Sequence, residues 1–334
     1  MLTAKQNVLE TLKPDGKPDR LVNGFVPFVP IMSDPIYALL RGNRVKGKTT
    51  KDVWGTEIAW PEGQHAAMPH VTNENKVLKD ITKWREILKI PDVAGAGKDP
   101  AKWETAKSAA AAAGQNDKLS MGFMGTGVFE QLHFLMGFED TLANLLEEPE
   151  AMHELIAYIT EFKKTQIRLI IDNLHPDVIM FHDDWGSKYN LFMRPTVWRE
   201  FFKQPYKEIY GLMKKHGIIT MHHADCYCQP IEPDMVEVGI DIWEGILPSN
   251  DIQQIKKDTG YKLTLMGGID ASIVDTPDWT EDVVRAEVAR ACRDYSEGGC
   301  FIPCLTYGGE GSIHPGVNDI IMDEIRKQNK IYFK

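Results

Sequence analysis

The chain has 334 residues and a formal net charge of −10, and its 43% hydrophobic and 26% charged residues are ordinary globular usage. Disorder and a fibrous architecture are thereby excluded, and nucleic acid is an unfavourable partner, because the strongest basic run, RVKGKTTK at 44–51, is short and has no interleaved aromatics. Five cysteines, an odd number, fit a reducing compartment better than a disulfide framework, and neither a signal-peptide core nor a long apolar span is present, so a cytoplasmic protein with no membrane partner is expected.

In chain order, the first hundred residues hold aromatic and proline-rich stretches, GFVPFVPIM at 24–32 and VWGTEIAWPEGQ at 53–64, which read as loops and short strands. KSAAAAAG at 107–114 is helix-favouring alanine. From residue 118 the pattern becomes regular. KLSMGFM (118–124), PDVIMFHDD (176–184), GIITMHHAD (217–225), IDIWEGI (240–246), KLTLMGGID (262–270) and CFIPC (300–304) are short apolar or β-branched runs, each followed by an amphipathic stretch. Six such units argue for a parallel sheet with helices on its faces. The length and the repeat number favour one (β/α)8 TIM barrel over residues 1–334, with residues 1–115 supplying an irregular N-terminal extension, the first strands and loops over the mouth.

The polar residues sit where such a barrel does chemistry. HDD, HHADC, WEG, GGID and PCLTYGG all fall at strand C-termini, the rim on which barrel active sites are built. Neither GxGxxG nor GxxxxGK[ST] occurs, which leaves nucleotide cofactors unsupported. The densest cluster is MHHADCYC at 221–228. Residues i and i+2 of an extended strand share a face, so His223 and Asp225 project together and His222 opposes them. Cys226 and Cys228 read provisionally as buried packing, with Cys226 the fallback ligand. Glu244 and Cys304, at later strand ends, complete a chemically sensible zinc set of His223, Asp225, Glu244 and Cys304. A rival set of Glu139, Glu154 and His175 fails, because one continuous helix would hold Glu154 and His175 roughly 30 Å apart.

In HDDWGSKY at 182–189, Asp183 and Asp184 close a strand, so one points into the mouth and the other away; such a pair can carry acid chemistry or bind a cation. Asp270, after two glycines, reads either as a helix cap or as a substrate contact. Phe181, Trp185, Tyr189 and Tyr307 are the aromatics available to wall a substrate.

The order of motifs, KPDR, HDDWGS, HHADCYCQPI, GIDIWEG, LMGGID and FIPC, resembles the uroporphyrinogen decarboxylase superfamily over most of residues 1–330. That resemblance implies a (β/α)8 barrel with its site at the C-terminal rim. The decarboxylases carry arginines soon after the first strand, whereas GFVPFVPIMSDP has none, and the corrinoid-dependent methyltransferases resemble the chain better. Relatives that act on thiols use His-x-Cys and a distant Cys on zinc; here His223, Asp225 and Cys304 take those positions, and the aspartate departs from the pattern. A carboxylate gives a harder zinc site, suited to Lewis-acid action on oxygen. The resemblance therefore implies transfer of a methyl group from a small O-methyl donor, an aromatic methyl ether, to Co(I) of a corrinoid (cobalamin) on a separate protein, since the chain has no Asp-x-His-x-x-Gly cobalamin motif. Asp183 or Asp184 would protonate the leaving oxygen. A homodimer is also implied. The competing readings are a methylcorrinoid:thiol methyltransferase of coenzyme M type, a uroporphyrinogen decarboxylase-like enzyme, and a barrel that binds tetrapyrroles or corrinoids without chemistry.

Overall fold

The computed structural model describes residues 1–308 and 311–333. Its centre is a parallel sheet of seven strands, β1 (Phe28–Ile31), β5 (Leu119–Met124), β6 (Val178–His182), β7 (Ile219–His223), β8 (Ile242–Ile246), β9 (Thr264–Gly268) and β10 (Phe301–Cys304), hydrogen-bonded in that order. Strands β2 (Lys48–Lys51), β3 (Glu57–Trp60) and β4 (Met68–Pro69) form a separate antiparallel sheet within the N-terminal extension. All six strands expected after residue 118 are present, and GFVPFVPIM contributes β1.

The sheet curls into a TIM-barrel-like α/β fold, because alternate residues of every strand meet in one interior cluster. Phe28, Leu119, Met121, Val178, Met180, Met221, Ile242, Met266, Ile302 and Cys304 pack together there, so the first and last strands face the same core. Seven strands are paired among the described residues. At the seam between β10 and β1, Gly24 lies against Pro303 and Cys304, with a positive φ of 49° that favours glycine. The helix Ala4–Thr11, started by a Thr3 capping box, inserts Val8 into the interior cluster. Lys5 of that helix pairs with Asp177, which precedes β6, at 2.5 Å, so the helix closes the end opposite the strand C-termini.

The crossovers follow from local sequence. Pro149 at the first helical position opens the 26-residue helix Pro149–Leu174, where its missing N–H costs nothing. Its buried side, Met152, Leu155, Ile156, Ile159, Phe162, Ile167, Ile170, Ile171 and Leu174, has the spacing of a single apolar stripe. The helix stops at His175, left-handed with φ 43°, immediately before Pro176. It is unbroken, and Glu154 on it pairs with Arg85, so the rival metal set of Glu139, Glu154 and His175 has no geometric basis. Among the described residues no helix is long and apolar enough to cross a membrane.

Candidate metal centre

Strand register brings the site together. His182 is paired with His223, and His223 with Glu244, across β6, β7 and β8, so three inward-facing polar side chains stand side by side at the C-terminal rim. The His182 and His223 rings stack with centroids 4.3 Å apart and planes 19° apart. Each imidazole is held by its own glutamate: His182 Nδ1 lies 3.0 Å from Glu130, and His223 Nδ1 bonds Glu244. With Nδ1 taken on both rings, Nε2 is the nitrogen left to face a ligand. His182, Asp184 and His223 offer ligand atoms all within 4.8 Å of one another.

That set fits a divalent cation. Two imidazoles and one carboxylate leave open positions, as catalytic sites do, and a carboxylate behind each histidine is the usual outer support that fixes ring orientation and raises ligand basicity. Glu244 is fully buried, and its Oε1 has no hydrogen-bond partner among the described residues, an unsatisfied oxygen beside the cluster. Without a cation the cluster holds protons instead. Burial opposes charge on His182, yet Glu130 lifts its pKa to about 10; His223 is raised likewise, by Glu244 against burial. Burial pushes Asp184 up to about 6, with His223 pulling it down. A bound metal ion displaces such protons, so its affinity is pH-dependent.

Gly245 makes the His223–Glu244 contact possible. The β8–β9 register shifts between Glu244 and Ile246, and Gly245 takes φ 97°, where an added Cβ would sit 2.8 Å from the Ala224 carbonyl carbon. The strand end therefore presses directly on the end of β7. Trp243, on the outer face, donates from Nε1 to the Ala224 carbonyl at 2.9 Å and fixes the same junction.

Strand alternation separates the two aspartates that follow His182. Asp184 turns toward the cluster, and its Oδ1 accepts the Asp225 N–H at 3.0 Å. Asp183 turns away and is fully buried at the start of the helix Val128–Met136, accepting the Phe129 and Glu130 N–H groups at 2.9 and 2.8 Å and the Tyr206 hydroxyl. It satisfies donors that a helix start leaves unpaired. Burial and Glu130 raise its pKa to about 7, against the Tyr206 bond. Fully buried Lys163 stands nearby and donates to the Thr126 carbonyl at 2.6 Å; burial brings its pKa down to about 8, while Asp183 and Glu130 oppose this.

The other residues singled out in the sequence disperse. Cys304, on the interior face, packs beneath Gly24, and burial holds its thiol well above the ordinary value, with Glu244 adding to the effect. Glu244 is engaged behind His223, and Asp225 stands half-buried beside the cluster. Phe181 and Trp185 face outward into the helical layer: Phe181 meets Tyr206 and Tyr210, while Trp185 stacks on His222 at 4.0 Å. Neither lines the mouth, and both are fully buried because the outer-face positions of β6 and its extension point into the hydrophobic layer. Asp270 caps the short helix Ala271–Val274, accepting from the Ser272 N–H at 2.9 Å, which is the cap reading of this residue. Tyr189 is exposed on its loop, and Tyr307 donates to Asp275 at 2.6 Å. Cys226 and Cys228 are buried with their sulfurs 3.3 Å apart.

Two groups escaped the sequence reading. His182 shares parity with Val178 and Met180, the inward residues of its strand, a signal present in VIMFH. Glu130 lies on a helix after β5 and reaches His182 only through tertiary packing, so local periodicity carries no sign of it. Beside His182 and Glu130 opens a cavity of about 250 Å³, lined also by Tyr37, Arg41, Arg44, Phe123, Phe134 and Gln166.

A family match and one solved structure agree with this architecture. Residues 49–318 match the family described as uroporphyrinogen decarboxylase (URO-D). A solved structure, a methyltransferase from Methanosarcina mazei, superposes with a TM-score of 0.63 at 17% identity, covering 100% of both chains. The structure of D-psicose 3-epimerase from Clostridium cellulolyticum H10 gives a TM-score of 0.39 at 12% identity, covering 71% of this chain and 85% of that one. No curated protein matches the chain by sequence. With most of its length inside the matched span, the chain belongs to the uroporphyrinogen decarboxylase (URO-D) family.

Proposed function

We propose that the chain is a zinc-dependent methyltransferase that takes a methyl group from a small O-methyl donor, an aromatic methyl ether, and delivers it to Co(I) of a corrinoid carried by a separate protein. The observation that carries this reading is the pair of glutamate-backed histidines joined by Asp184 at the barrel rim, with His182 and Glu130 lining a small cavity that has aromatic walls. The full-length likeness to a methyltransferase supports it as far as the fold goes.

His182, His223 and Asp184 would hold the ion, with Glu130 and Glu244 fixing the rings. When bound, zinc supplies Lewis acidity toward an ether oxygen. The rest falls to the chain itself. Tyr37, Phe123 and Phe134 wall the cavity beside His182 and orient a ring by burial and edge contacts. In the transfer the methyl–oxygen bond breaks, the methyl leaves without its electron pair for Co(I), and the oxygen keeps that pair and takes up a proton. The Asp225 carboxyl, half-buried beside the cluster with the residue's N–H bonded to Asp184, is the group that would deliver that proton. Asp183, tied to a helix start, has no free oxygen path to the mouth in this scheme.

A donor set without thiolate argues against the thiol methyltransferase alternative, because His182, Asp184 and His223 give a hard, oxygen-preferring site. The test is to load the protein with zinc, mix it with cob(I)alamin and a panel of methoxy-arenes, and follow formation of methylcob(III)alamin. Turnover only in the direction from methylcobalamin to coenzyme M would overturn the reading. Metal analysis is the companion measurement, since a barrel that binds corrinoids without chemistry needs no stoichiometric zinc.

A further inference from the structure

The two histidines of the cluster are each backed by a glutamate, whereas the third member, Asp184, has a support of another kind. Its Oδ1 accepts the Asp225 N–H at 3.0 Å, so the group behind this carboxylate is a backbone peptide, the one joining Ala224 to Asp225. That peptide is gripped from β8. Its carbonyl, the Ala224 oxygen, accepts from Trp243 Nε1 at 2.9 Å. Its face lies against Gly245, where an added Cβ would stand 2.8 Å from the Ala224 carbonyl carbon and oxygen and 3.0 Å from the Asp225 nitrogen. The next peptides are held as well: the Asn250 Nδ2 donates to the Cys226 carbonyl at 3.1 Å, and its Oδ1 accepts the Cys228 and Gln229 N–H groups at 3.0 and 3.1 Å.

The consequence falls on Asp184. A carboxylate is free to turn about its last torsion, which is broad and has no staggered wells. A fixed N–H on one oxygen removes that freedom and presents the carboxylate in one orientation. Accepting a hydrogen bond at the carbonyl also polarises a peptide and makes its N–H a better donor. Trp243 is fully buried and packs in the helical layer, on the outer face of β8, while the next residue, Glu244, reaches His223 on the inner face. Two neighbouring residues of one strand therefore support two different members of the cluster, Glu244 directly and Trp243 through the backbone of β7.

We propose that Trp243 is a positioning residue for the metal centre: its indole N–H and the close approach of Gly245 fix the Ala224–Asp225 peptide, and that peptide orients the Asp184 carboxylate. The inference rests on the reading of His182, Asp184 and His223 as metal ligands and not on methyl transfer.

Two measurements test it together: hydrogen exchange of the Asp225 amide in metal-free protein, and zinc affinity by competition with a chromophoric chelator. Trp243→Phe keeps an aromatic ring in the helical layer and removes the N–H. It should speed exchange of the Asp225 amide and weaken zinc binding about 10-fold, the lower end of what losing an outer support costs a metal site. Dependence on Asp184 separates positioning from general loosening. In an Asp184→Ala background Trp243→Phe should change zinc affinity by less than about 2-fold, whereas in a Glu244→Gln background its full effect should remain. Gly245→Ala, which keeps the indole and presses on the same peptide, should follow the same pattern. An unchanged zinc affinity in Trp243→Phe, or a loss of the same size with and without the Asp184 carboxylate, would overturn the proposal. So would fast exchange of the Asp225 amide in the wild-type protein, a measurement that needs no variant to fold. A slow amide that Trp243→Phe accelerates, in a protein that binds no zinc, would sink the metal centre and the positioning role with it, and leave only the grip on the peptide.

Discussion

His182 and His223 stand ring against ring on adjacent strands, 4.3 Å between centroids, and each is tethered at Nδ1 by a buried glutamate from a different element. Two imidazoles so close repel if both are protonated, and the two glutamates offset that repulsion in the absence of metal. The same arrangement turns both Nε2 atoms to one side, next to Asp184. A structural salt bridge needs one histidine and one acid; a duplicated carboxylate–histidine pair around a third ligand is what a metal centre needs.

The ligand assignment separates two sets experimentally. His182→Ala and His223→Ala should each abolish stoichiometric zinc binding, and Asp184→Asn should weaken it strongly, whereas Cys304→Ala should keep it. Metal content after dialysis against a weak chelator measures this. Retention of zinc by His182→Ala together with loss in Cys304→Ala would restore the set of His223, Asp225, Glu244 and Cys304.

The glutamates behind the histidines are predicted to tune the ion rather than hold it. Glu244→Gln and Glu130→Gln keep an acceptor for Nδ1–H but remove its charge, so zinc affinity should fall about 10- to 100-fold without being lost. Competition with a chromophoric chelator reads the change. An unchanged affinity in both variants would show that the histidines are paired with glutamate for folding alone.

Much of this was legible in the sequence, for definite reasons. Strand ends after residue 118 could be read because apolar runs alternate with amphipathic stretches, and the facing of His223 away from His222 follows from the two-residue repeat; His222 indeed meets Tyr210 in the helical layer. The same alternation separates Asp183 from Asp184 but does not say which faces inward. Counting from Val178 and Met180 settles that His182 faces the interior, yet the turn after the strand re-aims the next residues, and only tertiary structure shows Asp183 at a helix start. Phe181 and Trp185 were attractive as substrate walls because they are aromatic and near the rim, but parity sends them outward. Glu130, Arg41 and Gln166 belong to elements remote in sequence from the motifs, and nothing local ties them to the site.

Asp183 is predicted to matter for stability more than for chemistry. Asp183→Ala would leave the Phe129 and Glu130 N–H groups and the Tyr206 O–H without an acceptor in a fully buried position, although the Tyr206 oxygen still accepts from Trp185 Nε1, at a cost of about 3 kcal/mol or more. Gly127→Ala should act on the same contact, since a Cβ there would overlap the Asp183 carboxyl. Urea unfolding monitored by tryptophan fluorescence gives both values. An Asp183→Ala protein of wild-type stability that has lost all methyl transfer would instead make Asp183 a catalytic acid.

Lys256 supplies a pH test away from the site. Its ammonium is buried and donates to the Tyr295 and Glu297 carbonyls at 2.7 and 2.5 Å, and burial lowers its pKa from the ordinary 10.5 to about 8. Between those two values the unfolded chain binds the proton and the folded chain does not, so unfolding takes up protons and stability rises with pH. Below about pH 8 both states are charged and the unfavourable contribution is constant at its full size; it is relieved through pH 8 to 10.5. The relief amounts to about 3 kcal/mol at most. Lys256→Met removes this titration, and the difference in urea-unfolding free energy, wild type minus variant, should increase across that window. A difference that stays flat or declines as the pH is raised would mean that the buried ammonium keeps its proton in the folded protein throughout.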